Sequence, residues 1–415
     1  MASRVIAGPL RIPSSTVHPA GAHLGDALKL DGIGSPEWAL LLASSRGDPD
    51  REVIHRLMSG DLDWRLLTRL AINAHATPGL WQVVSAFPNL PDEAERLQAV
   101  AVLNDFRRYH IRSLVARLSE QLRAEGIEVL ALKGAALLAG GVQKPMPRTM
   151  SDIDLLVLKG SPEQAWTICR TNGWSLVDDA WTEELYRNHH HLAPLIDPDG
   201  VNIGLELHRT LLAGVDRLGL DTLSVVKRAR SVMVNDVPVL VPSVEDLLLH
   251  TCLHFAWSNK LRRGVWRAYA DTHSIIADPG FSWDRFVSVA TSRRMRQSCY
   301  WTLRIGQVVA DVTVPEGVLK ALDPSSGGRF GGLLERHFAL QLSDPQADDA
   351  VAQRARRWLW FAAMRERSGS REGDILWNEG AVDVPGEGAA SPRSQRGAVR
   401  AAVETWGYFA RLLAR

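Results

Sequence analysis

Cysteine is scarce in this sequence and long hydrophobic runs are missing, and each absence narrows what the protein can be. The 415 residues include three cysteines, Cys169, Cys252 and Cys299, odd in number and far apart. They spell neither a disulfide framework nor a zinc pattern, so free thiols in a reducing cytoplasm are expected. No apolar stretch approaches the roughly 20 residues of a membrane-spanning helix, so no membrane partner is expected. The first residues carry a lone Arg4 and no apolar segment of signal-peptide length, so no secretory leader is expected. Charge of one sign is also missing: 48 Lys and Arg against 47 Asp and Glu leave a formal net charge of +1. Bulk charge therefore argues neither for nucleic acid nor for an anionic membrane surface. No internal repeat is visible. What is present is ordinary for a globular chain with a real core: 46% hydrophobic residues and a length suited to about two to three domains. Fourteen tryptophans are many for this length, and most are expected to pack helices.

Patterning along the chain predicts an α+β protein, with a small mixed-sheet core flanked by N-terminal and C-terminal helical regions. Residues 1–34 carry Pro, Gly and His without periodicity and read as an irregular arm. A helical region is expected over 35–126. It opens at Ser35-Pro36-Glu37, a cap followed by proline at the first helical position and an acid at the positive end. A second helix runs from about Leu62 to a turn near Pro78-Gly79. Asp92 opens a long helix in which Ile111, Leu114, Val115, Leu118 and Leu122 recur at helical spacing, and Gly126 ends it. The pattern then changes, and 127–242 reads as the mixed core. Ile127 to Leu132 is strand-like, Lys133-Gly134-Ala135-Ala136 opens a small-residue helix, and Ser161-Pro162-Glu163 caps another. Asp197-Pro198-Asp199-Gly200 is a hairpin turn between His191–Ile196 and Val201–His208. From Leu220 the chain looks mainly helical, with one further strand at Val237 to Val241. Ser243-Val244-Glu245-Asp246 caps the first helix of a C-terminal helical region over 243–367. Residues 368–398, rich in Gly, Ser, Pro and Glu, read as a linker, and 399–415 as a closing helix.

One stretch carries chemistry: Arg148-Thr149-Met150-Ser151-Asp152-Ile153-Asp154-Leu155-Leu156-Val157. Strand alternation puts Asp152 and Asp154 on one face and Ile153 in the core. Two like charges side by side raise each other's pKa unless a cation sits between them. Hard carboxylate oxygens suit Mg²⁺, which one or two carboxylates and substrate phosphates commonly hold. The functional reading is a metal-dependent phosphoryl or nucleotidyl transfer site, and the bland one is two solvated acids at a strand end. Three features gather round the pair. Lys133-Gly134 stands at a strand-to-helix junction, where backbone N–H groups and a point charge suit phosphate. Arg148 either clamps phosphate oxygens or partners the aspartates. Glu206 and His208 share one face of the later strand Ile203 to His208, and Glu206 becomes a third carboxylate if that strand neighbours the first.

Taken together, this order resembles the polymerase-β-like nucleotidyltransferase superfamily. Within it the chain looks closest to a poorly characterised bacterial family. The resemblance rests on Leu132-Lys133-Gly134, Arg148, the strand Asp152 to Val157 and Glu206-Leu207-His208. Asp63-Trp64 to His75, His250, His254 and Asp271 also look like members of that family, so about 35–275 is covered. The loop departs from the usual Gly-Ser or Gly-Gly, because Ala135 follows Gly134 and offers no hydroxyl. The resemblance implies transfer of a nucleoside monophosphate from a nucleoside triphosphate such as ATP to an acceptor, with release of pyrophosphate. It implies two Mg²⁺ ions, with Mn²⁺ as a substitute, held by Asp152, Asp154 and Glu206 as the catalytic acids. Lys133, Gly134, Arg148 and Ser151 are the candidate nucleotide-binding residues, and His191 and His208 stand on the candidate acceptor side. The acceptor stays open between a peptide, a small molecule and RNA. A toxin that modifies transfer RNA and a non-catalytic nucleotide sensor on a transferase core are the alternatives.

Other clusters read more blandly. On a strand, at most two of His189, His190 and His191 are expected to converge, so rim histidines are favoured over a zinc site. His250 and His254 lie one helical turn apart without the Glu of a zinc protease and are expected to pack. Arg262-Arg263, Arg293-Arg294-Arg296 and Arg354-Arg356-Arg357 are expected to be solvated faces rather than a nucleic-acid groove.

Overall fold

The computed structural model describes residues 35–177, 184–212, 220–261, 265–292, 295–324, 331–335, 337–338 and 352–364. The expected arm, linker and closing helix lie outside these residues, as do Arg262, Arg263, Arg293, Arg294 and the side chain of Arg354. The architecture is α+β, as the patterning predicts: a seven-stranded mixed sheet with helices before and after it.

The N-terminal helices are α1 (Pro36–Ser44), α2 (Arg51–Met58), α3 (Trp64–Asn73), α4 (Thr77–Val84) and α5 (Glu95–Ala124). Side-chain caps start the first three: Ser35 accepts from the Trp38 N–H, Asp50 from Glu52 and Val53, and Asp63 from Leu66. Pro78-Gly79, expected as a turn, lies inside the first turn of α4. There the missing proline N–H has no intrahelical acceptor to lose. In α5 the five spaced residues Ile111, Leu114, Val115, Leu118 and Leu122 are all buried, and the helix packs on the sheet. Its end falls where expected, with Gly126 in the left-handed region at φ +75°.

The strands are β1 (Glu128–Ala131), β2 (Asp152–Lys159), β3 (Ser175–Leu176), β4 (Leu195–Ile196), β5 (Gly204–His208), β6 (Arg230–Val234) and β7 (Val237–Val241), in the order β3-β4-β5-β2-β1-β7-β6. β2 runs antiparallel to β1 and parallel to β5, while β1 runs parallel to β7. β3 and β6 are the strands absent from the sequence reading. The hairpin of β6 with β7 turns at Asn235-Asp236, both left-handed at φ 48° and 64°, as a tight hairpin of primed type requires.

Between strands lie α6 (Lys133–Ala136) and α7 (Pro162–Thr171). After them come α8 (Thr222–Arg228), α9 (Val244–Leu253), α10 (Val265–Ile276), α11 (Trp283–Ser292), α12 (Arg296–Val309), α13 (Glu316–Leu322) and α14 (Ala352–Met364). α9 is buried along its length and packs on α10, α11 and α12. Trp266 of α10 meets Trp38 of α1 edge-on at 5.2 Å and donates to the Leu41 carbonyl, which ties early and late helices together. The three cysteines are free and buried, and no described helix is long and apolar enough to cross a membrane.

Candidate active site

The site grows from the pairing of β2 with β5. Ile153, Leu155, Leu205 and Leu207 are fully buried on one face of this pair. The alternate residues must therefore share the other face. The register sets Asp152 beside Gly204, Asp154 beside Glu206 and Leu156 beside His208. Three carboxylates thus cluster on adjacent parallel strands, and the glycine opposite Asp152 adds no side chain there.

Two nitrogen groups close round Asp154. The Leu132 N–H donates to the Asp154 carbonyl at 2.9 Å and brings the end of β1 to the mouth of β2. Lys133, the next residue, adopts a left-handed φ of 46°, uncommon for a residue with a side chain. Its Nζ lies 2.6 Å from Asp154 Oδ1. His208 Nε2 lies 3.0 Å from the same oxygen and 3.5 Å from Glu206 Oε2. Burial opposes charge on all these groups, yet pairing outweighs it for most of them. Lys133 and the His208 hydrogen bond hold Asp154 well below the usual carboxylate range. Glu206 is also lowered, chiefly by His208, while Lys133 and His208 are raised by the carboxylates. Asp152 differs: burial and then the charge of Asp154 push it upward. One acid of the pair is compensated and the other is not.

A second wall comes from α10. Arg148 Nη1 donates to Asp271 Oδ2 at 2.7 Å, so its partner is neither aspartate of β2. Arg267 lies one helical turn before Asp271, and no hydrogen bond or ion pair holds it among the described residues. Burial and then Arg148 lower its pKa, while Asp152 and Asp271 act the other way. Burial, Arg267 and Arg148 together lower His75 to about 4. Arg267 escaped the sequence reading, although its spacing of four from Asp271 on one helix face was a usable signal. A side chain at Gly134 would meet Met150 Sδ at 2.5 Å and Arg148 Nη1 at 2.7 Å, so the ends of both side chains would have to move to admit it. The Ser151 hydroxyl donates to Asp152 Oδ1 at 3.4 Å, and its carbonyl accepts the Gly204 N–H.

The histidines require one correction. His189, His190 and His191 are not on a regular strand; their nearest ligand atoms all lie within 4.8 Å of one another. The reason is Arg209, whose Nη1 donates to the carbonyls of Tyr186, His189 and His191 and whose N–H donates to that of His190. This curls the backbone and gathers rings that a strand would have sent to opposite sides. His191 Nε2 lies 3.9 Å from Glu206 Oε2, beside the carboxylate cluster. His250 is buried and His254 half-buried, and burial followed by Lys133 lowers His250 to about 3. Of the basic clusters, Arg296 donates to the carbonyls of Ala321 and Asp323, and Arg356 is buried rather than solvated. A concavity near His55 and Phe87 shares no residue with the carboxylate cluster.

A mixed sheet that gathers acids and cations at one strand mouth is suited to a phosphoryl- or nucleotidyl-transferring enzyme. Comparison with protein families makes the assignment: a family described as uncharacterised nucleotidyltransferase matches residues 60–310, more than half of the chain. The protein belongs to this family, and it is a nucleotidyltransferase. No curated protein matches the sequence.

Proposed function

We propose that the protein transfers a nucleoside monophosphate from a nucleoside triphosphate to an acceptor hydroxyl in a reaction that depends on Mg²⁺. The observation that carries this reading is the register of Asp154 beside Glu206, with Asp152 two residues away on the same face. The residues fit divalent ions: three hard-oxygen donors share one face, and the Lys133 ammonium already sits against Asp154 as a positive charge. Asp152, Asp154 and Glu206 would hold the metal, which supplies charge neutralisation at the phosphates and at the entering and leaving oxygens. The resemblance to the polymerase-β-like superfamily supports the same roles.

The remaining work falls to the chain's own groups. Lys133, with Arg148 and Arg267 on the second wall, holds the triphosphate and directs pyrophosphate away. Gly134 lets the backbone approach a phosphate, and Ser151 orients Asp152. The acceptor oxygen attacks the α-phosphorus as the bond to the bridging oxygen of pyrophosphate breaks, and Glu206 accepts the acceptor's proton. His208 positions both Asp154 and Glu206, and His191 lines the acceptor side. Catalysis is mainly positioning and electrostatic stabilisation.

The test is calorimetry of triphosphate binding with Mg²⁺, with chelator, and with Asp152→Asn plus Asp154→Asn. Binding is expected only in the first case. Equal binding in all three would remove the metal assignment. Pyrophosphate release, screened across peptide, small-molecule and RNA fractions, then identifies the acceptor class.

A further inference from the structure

Next to the carboxylate cluster lies a histidine triplet, of which the proposed transfer reaction uses only His191. The rings of His189, His190 and His191 are mutually 4.2 to 4.7 Å apart by centroid, and each offers a ligand atom within 4.8 Å of the others. The Nδ1 atoms of His189 and His190 are buried and have no hydrogen-bond partner. Buried polar atoms are normally bonded, so two orphans in one triplet call for an explanation. His191 Nδ1 lies 2.7 Å from the Leu192 carbonyl. A carbonyl accepts only, so the ring donates there and its Nε2 keeps a free lone pair. That is the arrangement that orients metal-binding histidines.

The loop is also braced in advance. Arg209 ties four of its carbonyls, and Glu163 Oε1 accepts from Arg209 Nε and Nη2 at 3.2 and 2.9 Å. Imidazole nitrogens with no carboxylate among them suit zinc, nickel, cobalt or copper rather than magnesium. Metal–nitrogen bonds of about 2.0–2.1 Å in a tetrahedron need nitrogens about 3.3 Å apart, so separations now within 4.8 Å would close by up to about 1.5 Å on binding.

We infer that His189, His190 and His191 form a second metal site, selective for a transition-metal ion such as Zn²⁺ and separate from the carboxylate site. Three protein ligands leave one tetrahedral position open, as in catalytic zinc sites. Glu206 Oε2 lies 3.9 Å from His191 Nε2. The site thus adjoins the face from which the acceptor is proposed to enter, and its existence does not depend on that proposal.

The experiment uses the full chain without a histidine tag, stripped with chelator and titrated with Co²⁺. One equivalent is expected, with the strong visible bands of tetrahedral cobalt, displaced by Zn²⁺ and untouched by excess Mg²⁺. His189→Asn and His190→Asn should each weaken Co²⁺ binding by about a hundredfold or more, beyond the loss typical of an outer-shell change. Both variants should keep Mg²⁺–triphosphate binding, which also shows that they fold. Asp152→Asn plus Asp154→Asn should keep the cobalt bands while losing the nucleotide, so the two sites fail separately. Absence of stoichiometric cobalt, an octahedral spectrum, or bands lost with the aspartates rather than the histidines would overturn the inference.

Discussion

Lys133 and Asp154 show how one contact can serve two states of the site. With no ion beside Asp154, the ammonium compensates a buried carboxylate that would otherwise carry an unpaired charge. In the proposed complex with a triphosphate, the same ammonium would meet phosphate oxygens. Lys133→Ala should therefore weaken triphosphate binding by roughly 1.5–3 kcal/mol, the scale of a charged hydrogen bond, and monophosphate binding much less. Calorimetry with both nucleotides checks it; equal losses would make the lysine purely structural. Glu206 divides the work differently. It lies on β5, across β2 from β1, the strand that leads into Lys133, and in the proposed reaction it would contribute little to holding the donor. Glu206→Gln should bind a non-hydrolysable triphosphate within a few-fold while pyrophosphate release falls by about 10²–10⁴, the range for a lost acid–base group. Retained turnover would return Glu206 to the status of an ordinary strand residue.

At the scale of elements, the site depends on a turn and a helix that do not themselves react. The turn into α6 places Gly134 against Met150 and Arg148, and α10 holds Arg148 through Asp271. Gly134→Ala forces the ends of those two flexible side chains to move. It should lower stability by about 1–3 kcal/mol, as overpacking does, while displacing Arg148. Urea melts and nucleotide titration together test this: a fall in affinity larger than the loss of stability explains is expected. Unchanged affinity would show that Arg148 lies outside the nucleotide site. Arg148 and Asp271 were each picked out in the sequence, but their pairing was not. A helix that begins 117 residues after Arg148 supplies Asp271, and no local pattern encodes such a pairing.

Burial lowers the pKa of several histidines in the molecule, and they contribute to its response to acid beside Asp154 and Glu206. Burial is the largest cause in each case, taking His250 to about 3 and His75 to about 4. Their folded values lie below the unfolded value of about 6.5. The unfolded chain therefore binds protons first, and the stability they contribute is complete above about pH 6.5 and is lost as pH falls toward 3. Neither ring nitrogen of His250 has a hydrogen-bond partner, so the ring acts as a buried apolar body of about the size of leucine. His250→Leu should raise the melting temperature relative to the parent more at pH 5 than at pH 8. The same difference at both values would mean that His250 does not titrate on unfolding.

Wherever the physics is local, the sequence by itself determined the outcome. Side-chain caps began α1, α3 and α9 where Ser35, Asp63 and Ser243 stand, and glycine closed α5 at Gly126. Alternation along β2 put Asp152 and Asp154 on one face, because the period of a strand is a property of the backbone alone. Pro78-Gly79 misled for the converse reason: the same residues suit a turn and the first turn of a helix, and only the surrounding packing chooses. β6 went unread because Asn235-Asp236 announces a hairpin more quietly than Asn-Gly, and its partner strand was needed to make the pairing visible. Tertiary structure alone decided what meets what. The register of β5 beside β2 set Glu206 against Asp154, α10 brought Arg267 and Asp271 to the strand mouth, and Arg209 curled three histidines onto one side. Each depends on contacts between residues distant in the chain. Long-range packing sets such contacts, and local spacing carries no record of them.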